Sequence, residues 1–167
     1  MDTRIVTAKR AVVITASTRA AAGVYSDRSG PILVAGLREL GFEVSDAVIV
    51  PDGLDVEAAL RAAIADGAQV IITSGGTGIS PSDRTPDITS SLLDMELPGI
   101  AEALRANAVN SGIAMGMLSR GVAGVAGRSI VINVPGSTGA AADAIETLKP
   151  MLMHAVDQLS GESLDHP

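Results

Sequence analysis

The chain reads as an α/β protein, a three-layer α/β/α sandwich on a mostly parallel sheet. Three observations predict this. Short apolar runs rich in β-branched residues recur over residues 11–16, 43–50 and 69–73, as buried strands do. The first two are followed by helical stretches with one apolar face. The third runs into a glycine-rich turn, Ser74-Gly75-Gly76-Thr77-Gly78. A β-α-β-α-β order places strands parallel, with helices packed on both faces of the sheet.

Each element has a local reason. Ala11-Val12-Val13-Ile14-Thr15-Ala16 is continuously apolar between Arg10 and a polar loop, so it reads as a buried first strand. The loop over 17–28 is rich in small residues. A helix follows over about 29–40, with Pro31 near its first turn, Leu33, Leu37 and Leu40 as its inner stripe, and Gly41 as its stop. Residues 43–50 read as the second strand and 55–66 as the second helix, with Val56, Leu60, Ala63 and Ile64 inward. The third strand is 69–73.

Beyond the glycines come helical patterns near 87–94 and 99–108, separated by Pro98. Thr85 is placed to cap the first of these, and Pro86 suits its first turn. Segments 115–122 and 128–134 are strand-like and joined by a glycine-rich turn, which allows one antiparallel pair. Gly121, Gly124 and Gly127 resemble a fragment of a dinucleotide fingerprint, but no helix follows them, so a hairpin turn is the reading. Pro135-Gly136-Ser137 opens a final helix whose apolar face runs through Ile145, Leu148, Leu152, Val156 and Leu159. Pro150 either kinks that helix or marks the start of another.

Composition narrows the function. A chain of 167 residues fits one domain spanning residues 1–167, with a core over about 10–161 and frayed ends. Hydrophobic residues make up 47% but aromatics only 1%, so Ala, Val, Ile, Leu and Met must fill the core. Net charge is −7 and the 12 Lys and Arg are scattered, which argues against a nucleic-acid partner. With no cysteine, disulfides, thiolate catalysis and Cys-based metal sites are excluded. The two histidines, His154 and His166, lie in a helical pattern and in the tail, away from any cluster a zinc ion or a histidine base would use. No signal-peptide core precedes residue 10 and no apolar run is long enough for a bilayer, so the expected setting is cytoplasmic, with no membrane partner.

The chemistry concentrates after the third strand. Gly75, Gly76 and Gly78 let main-chain N–H groups converge on an anion without interference from a Cβ. Ser74 and Thr77 belong to the same loop, which lacks the Lys of a Walker A motif and the spacing of a Rossmann fingerprint. Asp83, a few residues on, either holds Mg²⁺ against the bound anion or only shapes the turn before Thr85. Asp52 follows the second strand in Val50-Pro51-Asp52-Gly53. In a parallel sheet that position shares the carboxyl edge with the glycine loop, where ligands bind in such folds. The competing role is a turn or cap residue, although Asp55 is better placed to cap the next helix. Pro135-Gly136-Ser137 is a second strand-to-helix junction, either an anion or base contact or an ordinary turn. The combination points to phosphate recognition and therefore to a nucleotide.

These segments together resemble the molybdopterin adenylyltransferase family of molybdenum cofactor biosynthesis, the Mog/MoaB group. The resemblance spans about residues 11–161. It is carried by Gly23-Val24-Tyr25-Ser26-Asp27, Ser29-Gly30-Pro31, Val50-Pro51-Asp52, Thr73-Ser74-Gly75-Gly76-Thr77-Gly78, Asp83-Arg84-Thr85-Pro86-Asp87, Leu97-Pro98-Gly99, Leu118-Ser119-Arg120 and Asn133-Val134-Pro135-Gly136-Ser137. It implies the molybdenum cofactor biosynthesis protein fold and a homotrimer, in some members a dimer of trimers. The implied reaction is Mg²⁺-dependent transfer of AMP from ATP to the terminal phosphate of molybdopterin, releasing pyrophosphate. Asp52 and Asp83 match the family's essential acids and its Mg²⁺ ligands, and loop 74–78 its phosphate-binding loop. Ser119, with Arg19, matches the molybdopterin side, and Pro135, Gly136 and Ser137 the nucleotide side. A molybdenum-insertion protein is the implied partner.

Two departures stand out. Thr18 and Ser82 occupy positions where the family often has Asp and Arg. The missing Arg removes a phosphate-neutralising charge that Arg84 or Arg19 could replace. The competing functions are a non-catalytic molybdopterin carrier or scaffold on the same fold, and a nucleotide hydrolase.

Overall fold

A computed structural model describes residues 7–162. In chain order the elements are β1 (Arg10–Ala16), α1 (Thr18–Ala21), α2 (Ser29–Glu39), β2 (Glu43–Val44), β3 (Val48–Val50), α3 (Leu54–Ala65), β4 (Val70–Ser74), α4 (Thr85–Leu92), β5 (Met95–Glu96) and α5 (Pro98–Asn110). A 3₁₀ turn (Ala114–Leu118), β6 (Ala123–Ala126), β7 (Ser129–Val134), α6 (Thr138–Leu148) and α7 (Leu152–Ser160) complete the chain. The sheet order is β2-β1-β4-β7-β6-β5, with β3 also paired to β1. Strands β1, β2, β3, β4 and β7 run parallel, and β5 and β6 are antiparallel to their neighbours.

The period-two alternation of the central strands divides the core between two faces. Val13, Val70, Ile72, Ile130 and Ile132 pack on one side with Leu33, Val34 and Leu37 of α2 and with Ala141, Leu148, Leu152 and Val156 of α6 and α7. Ile14, Ile71 and Val131 point the other way, onto Val56, Leu60 and Ala63 of α3, with Ile88 and Leu92 of α4 against them. The result is the three-layer α/β/α sandwich with a mostly parallel sheet. Its core holds one aromatic, Phe42, beside the small and aliphatic residues that composition demanded.

Four readings need correction. The single strand over 43–50 is two short strands, β2 and β3. Both lie on β1, but the register gains one residue between Arg10↔Glu43 and Ile14↔Val48. Ser45-Asp46-Ala47 therefore bulges out, and Arg38 of α2 donates to the Val44 carbonyl at 3.0 and 2.7 Å.

The strand expected over 115–122 is instead a 3₁₀ turn with Met115 and Met117 exposed, and the glycine-rich stretch expected to be a turn is β6 itself. Position 124, beside β5, has room for no side chain: a Cβ at Gly124 would strike the Met95 carbonyl and Leu93, so glycine fits there and a methionine does not. The hairpin turn lies at Gly127-Arg128, linking β6 to β7.

The loop over 17–28 contains the short helix α1, whose first turn is capped by Ser17: its Oγ accepts the Ala20 N–H at 3.1 Å. Finally, Thr85 is not a cap but the first residue of α4, with Arg84 before it.

Other boundaries agree to within about two residues. Pro98 begins α5 instead of merely separating two helices. Pro150 falls in the break between α6 and α7. His154 lies on α7. Residues 1–6 and His166 with the rest of the tail fall outside the described residues.

Candidate active site

The sheet register explains why distant residues meet. Ala16 of β1 pairs with Val50 of β3, Thr15 of β1 with Ser74 of β4, and Ser74 with Val134 of β7. Four parallel strands thus end together, and the loops after them share one edge. That edge opens into a cavity of about 1200 Å³. Asp52, Asp83, the 74–78 loop, Pro135, Gly136, Ser137, Ser119 and Arg19 all line it. β3 and β4 are not neighbours, since β1 lies between them and places Ser17 and Thr18 in the middle of the site.

The loop after β4 is shaped by two glycines in the left-handed region, Gly75 (φ 96°) and Gly76 (φ 66°). An added Cβ at Gly75 would collide with the Ala16 carbonyl, and one at Gly76 with the Thr85 hydroxyl. Both positions thus require glycine for conformation and for space. The Gly75 N–H donates to the Val134 carbonyl at 2.9 Å, which ties the loop to the end of β7. Ser74 is buried, and its hydroxyl lies 2.8 Å from that of Ser29 at the start of α2. Ser137 caps α6, its Oγ accepting the Ala140 N–H at 3.1 Å.

Asp52 and Asp83 are held differently. The Asp52 Oδ2 accepts the Thr18 N–H at 3.1 Å and the Thr18 hydroxyl at 3.0 Å. Its Oδ1 faces Gly76, 3.1 Å from where a Cβ there would sit. The Asp83 Oδ2 accepts the Ser80 N–H at 2.9 Å, closing a turn over 80–83. Neither Asp52 nor Asp55 caps α3 with its side chain. Gly53 stands at the cap, and Asp55 with Glu57 lies in the first turn, where negative charge suits the helix dipole.

Three roles were not read from the sequence, which placed Thr85 as a cap and held Asp27 and Arg120 only within longer segments. Arg120 reaches across the loop: its main-chain N–H donates to the Thr77 carbonyl at 2.8 Å, Nε to the Gly78 carbonyl at 2.9 Å and Nη2 to the Asp83 carbonyl at 2.7 Å. Its Nη1 pairs with Asp87 at 3.2 Å, and that hydrogen bond holds the Asp87 carboxyl below its ordinary pKa. Asp27 accepts from Thr15 and from the Gly30 N–H at 2.8 and 3.0 Å, fixing the start of α2 against β1. Thr85 is 1% exposed and its hydroxyl has no hydrogen-bond partner. Local spacing does not mark the Arg120 contacts or the Thr15–Asp27 contact, because their partners come from other elements. Of the two cations that could replace the Arg absent at Ser82, Arg84 pairs with Asp87 at 3.5 Å. Arg19 lies on the cavity wall with its guanidinium over the Tyr25 ring, 5.4 Å from the centroid.

The donor set fits Mg²⁺ held together with a substrate phosphate. Among the described residues no group of three or more His, Cys, Asp or Glu could form an all-protein metal cage. Mg²⁺ is usually held through one or two carboxylates, substrate phosphates and water, and two carboxylates stand beside the glycine loop. No helix among the described residues is long and apolar enough to cross a membrane.

The fold and this edge define a class: an α/β domain with a glycine-rich loop and two acids at the carboxyl ends of its parallel strands. The family model described as "Probable molybdopterin binding domain" matches residues 12–154, and the chain belongs to that family, whose members serve molybdenum cofactor biosynthesis. It is 40% identical over 155 residues to a molybdenum cofactor biosynthesis bifunctional protein of Chlorobaculum tepidum, covering 92% of this chain and 49% of that one. The chain thus spans about half the length of the bifunctional relatives it matches. It is 35% identical to a molybdopterin adenylyltransferase of Pyrococcus furiosus, covering 85% and 86% of the two chains. A solved molybdopterin biosynthesis Mog protein from Mycobacterium ulcerans superposes with a TM-score of 0.87 at 43% identity, covering 93% of this chain and 99% of that one.

Proposed function

We propose that this chain transfers AMP from ATP to the terminal phosphate of molybdopterin, with Mg²⁺, giving adenylyl-molybdopterin and pyrophosphate. The observation that carries the reading is one cavity of about 1200 Å³ in which the 74–78 loop, Asp52 and Asp83 stand together. Its size exceeds the range of about 300–1,000 Å³ usual for a single small-molecule site, which leaves room for a nucleotide and a pterin side by side.

In the reaction an oxygen of the pterin phosphate attacks the α-phosphorus of ATP. The bond from that phosphorus to the bridging oxygen breaks, and pyrophosphate leaves. Two anions must approach each other, so catalysis rests on positioning and on offsetting charge. The Gly75 N–H is taken by Val134, so backbone N–H groups of the loop beyond it, over 76–78, hold the ATP phosphates, with the 135–137 segment beside them on the nucleotide side. Ser119 and Arg19 contact the pterin side. Asp52 and Asp83 would hold Mg²⁺, which would supply electrostatic stabilisation of the phosphates. Asp83 orients the phosphate end of ATP, while Asp52 acts on the geometry of the reacting groups. No covalent nucleophile is needed.

The same reading takes the chain as one domain that works in the cytoplasm as a homotrimer and hands its product to a molybdenum-insertion protein. The test is incubation with molybdopterin, ATP and Mg²⁺, followed by detection of pyrophosphate and adenylylated pterin. Free AMP without adenylylated pterin would indicate a hydrolase. Molybdopterin binding without turnover would indicate a carrier.

A further inference from the structure

We infer that Thr18 is the positioning residue for Asp52. The inference rests on the adenylyltransferase reading for its effect on rate, and on geometry alone for its effect on Asp52. Thr18 is the first residue of α1, and both of its donors are committed to one partner. Its N–H and its hydroxyl donate to the same Asp52 oxygen, Oδ2, at 3.1 and 3.0 Å. The hydroxyl oxygen in turn accepts the Asp52 N–H at 3.2 Å. The contact therefore runs both ways between residues 34 apart in sequence: Thr18 grips the carboxylate, and the Asp52 backbone grips Thr18.

With Oδ2 occupied by two donors, rotation of the carboxylate about its own bond costs both, so Oδ1 is left facing Gly76 and the glycine loop. A β-branched side chain strengthens the device, since it restricts χ1, and the reciprocal bond from the Asp52 N–H fixes which way the hydroxyl oxygen points. The register places it. β1 ends between β3 and β4, so the residue after the β1 turn is the one that can reach across to the β3 loop.

Thr18 is exposed and Asp52 only partly buried. A contact in such a setting adds little to global stability, whereas catalysis responds to small displacements of a reacting group. That difference separates positioning from support. Thr18→Val keeps the shape and removes the hydroxyl, and Thr18→Ser keeps the hydroxyl.

The experiment measures AMP-transfer kcat, KM for ATP and thermal midpoint for both variants, with a crystal structure of Thr18→Val. Thr18→Val is expected to lower kcat about 10-fold, with KM within about twofold and the midpoint within about 2 °C. Thr18→Ser should recover most of the rate, and in the Thr18→Val crystal the Asp52 carboxylate should turn away from Gly76. Unchanged kcat in Thr18→Val, a Ser variant as impaired as Val, or an unmoved Asp52 would overturn the inference. If the wild-type chain transfers no AMP, the adenylyltransferase reading fails, and the Asp52 orientation in the Thr18→Val crystal still decides the positioning role.

Discussion

Asp52 and Asp83 line the same cavity, yet one is held from the loop after the neighbouring strand and the other by its own turn. Asp52 is gripped by Thr18, which the adjacent strand β1 delivers two residues beyond the Ala16–Val50 pair. Asp83 is gripped by Ser80, three residues back, through its side chain at 2.9 Å and through its own N–H to the Ser80 carbonyl at 2.9 Å. What joins Asp83 to the rest of the fold is its carbonyl, taken by Arg120. The orientation of Asp52 thus depends on the sheet, whereas that of Asp83 survives as long as one short turn does. The two acids are not interchangeable, and they should fail in different ways.

The sharpest break in that comparison is Asp52→Asn. Turnover should fall about 10²-fold or more, about 2.7 kcal/mol, while molybdopterin binding stays nearly intact. Steady-state rates and a pterin titration on the one variant check this, and near-normal AMP transfer would leave Asp52 as a turn residue.

Gly76→Ala acts on the loop between the two acids. Alanine at a φ of 66° is strained, and its Cβ would collide with the Thr85 hydroxyl and sit 3.1 Å from the Asp52 Oδ1. A loss of about 1–3 kcal/mol in stability is expected, together with weaker ATP binding, read by denaturant unfolding and nucleotide titration. A smaller effect should follow Arg120→Gln, which removes the clamp on the Asp83 side only. Loss of the bonds to the Gly78 and Asp83 carbonyls should cost about 1 kcal/mol and speed amide exchange over residues 78–87, with the Thr18 and Asp52 amides unchanged. Uniform loosening of both sides would contradict the division.

The smallest effect concerns pH. The Arg120 hydrogen bond lowers the Asp87 pKa in the folded chain. A depressed carboxylate contributes stability in full above its unfolded pKa of about 3.9. That contribution is lost as pH falls through the lower folded value. Asp87 is exposed, so the expected change is small. Comparing wild type with Asp87→Asn should show the difference in thermal midpoint shrinking below pH 4 and constant above pH 6.

Much was written into the sequence locally. The apolar runs at β1, β4 and β7, the helical stripes of α2 and α3, and the stop at Gly41 are patterns within a few residues, and period and turn chemistry are enough to find them. The glycine loop was legible for the same reason: its backbone demands are met by residue type alone, as the collisions at Gly75 and Gly76 show. The turn around Asp83 was also legible, being built from neighbours.

Tertiary structure decided what neighbours could not. Met115–Leu118 has the hydropathy of a strand, but residues 123–126 take the place in the sheet, where position 124 beside β5 admits only glycine. The break between β2 and β3 appears only when β1 imposes its register. Thr18 meets Asp52, Arg120 meets the loop and Asp27 meets Thr15 through contacts spanning 12 to 42 residues, and no window of local periodicity contains both partners. Hydropathy sets which face of an element is buried. Which side chains then meet depends on the order and register of the strands, because hydrogen bonds act over about 3 Å and only the assembled sheet brings their atoms that close.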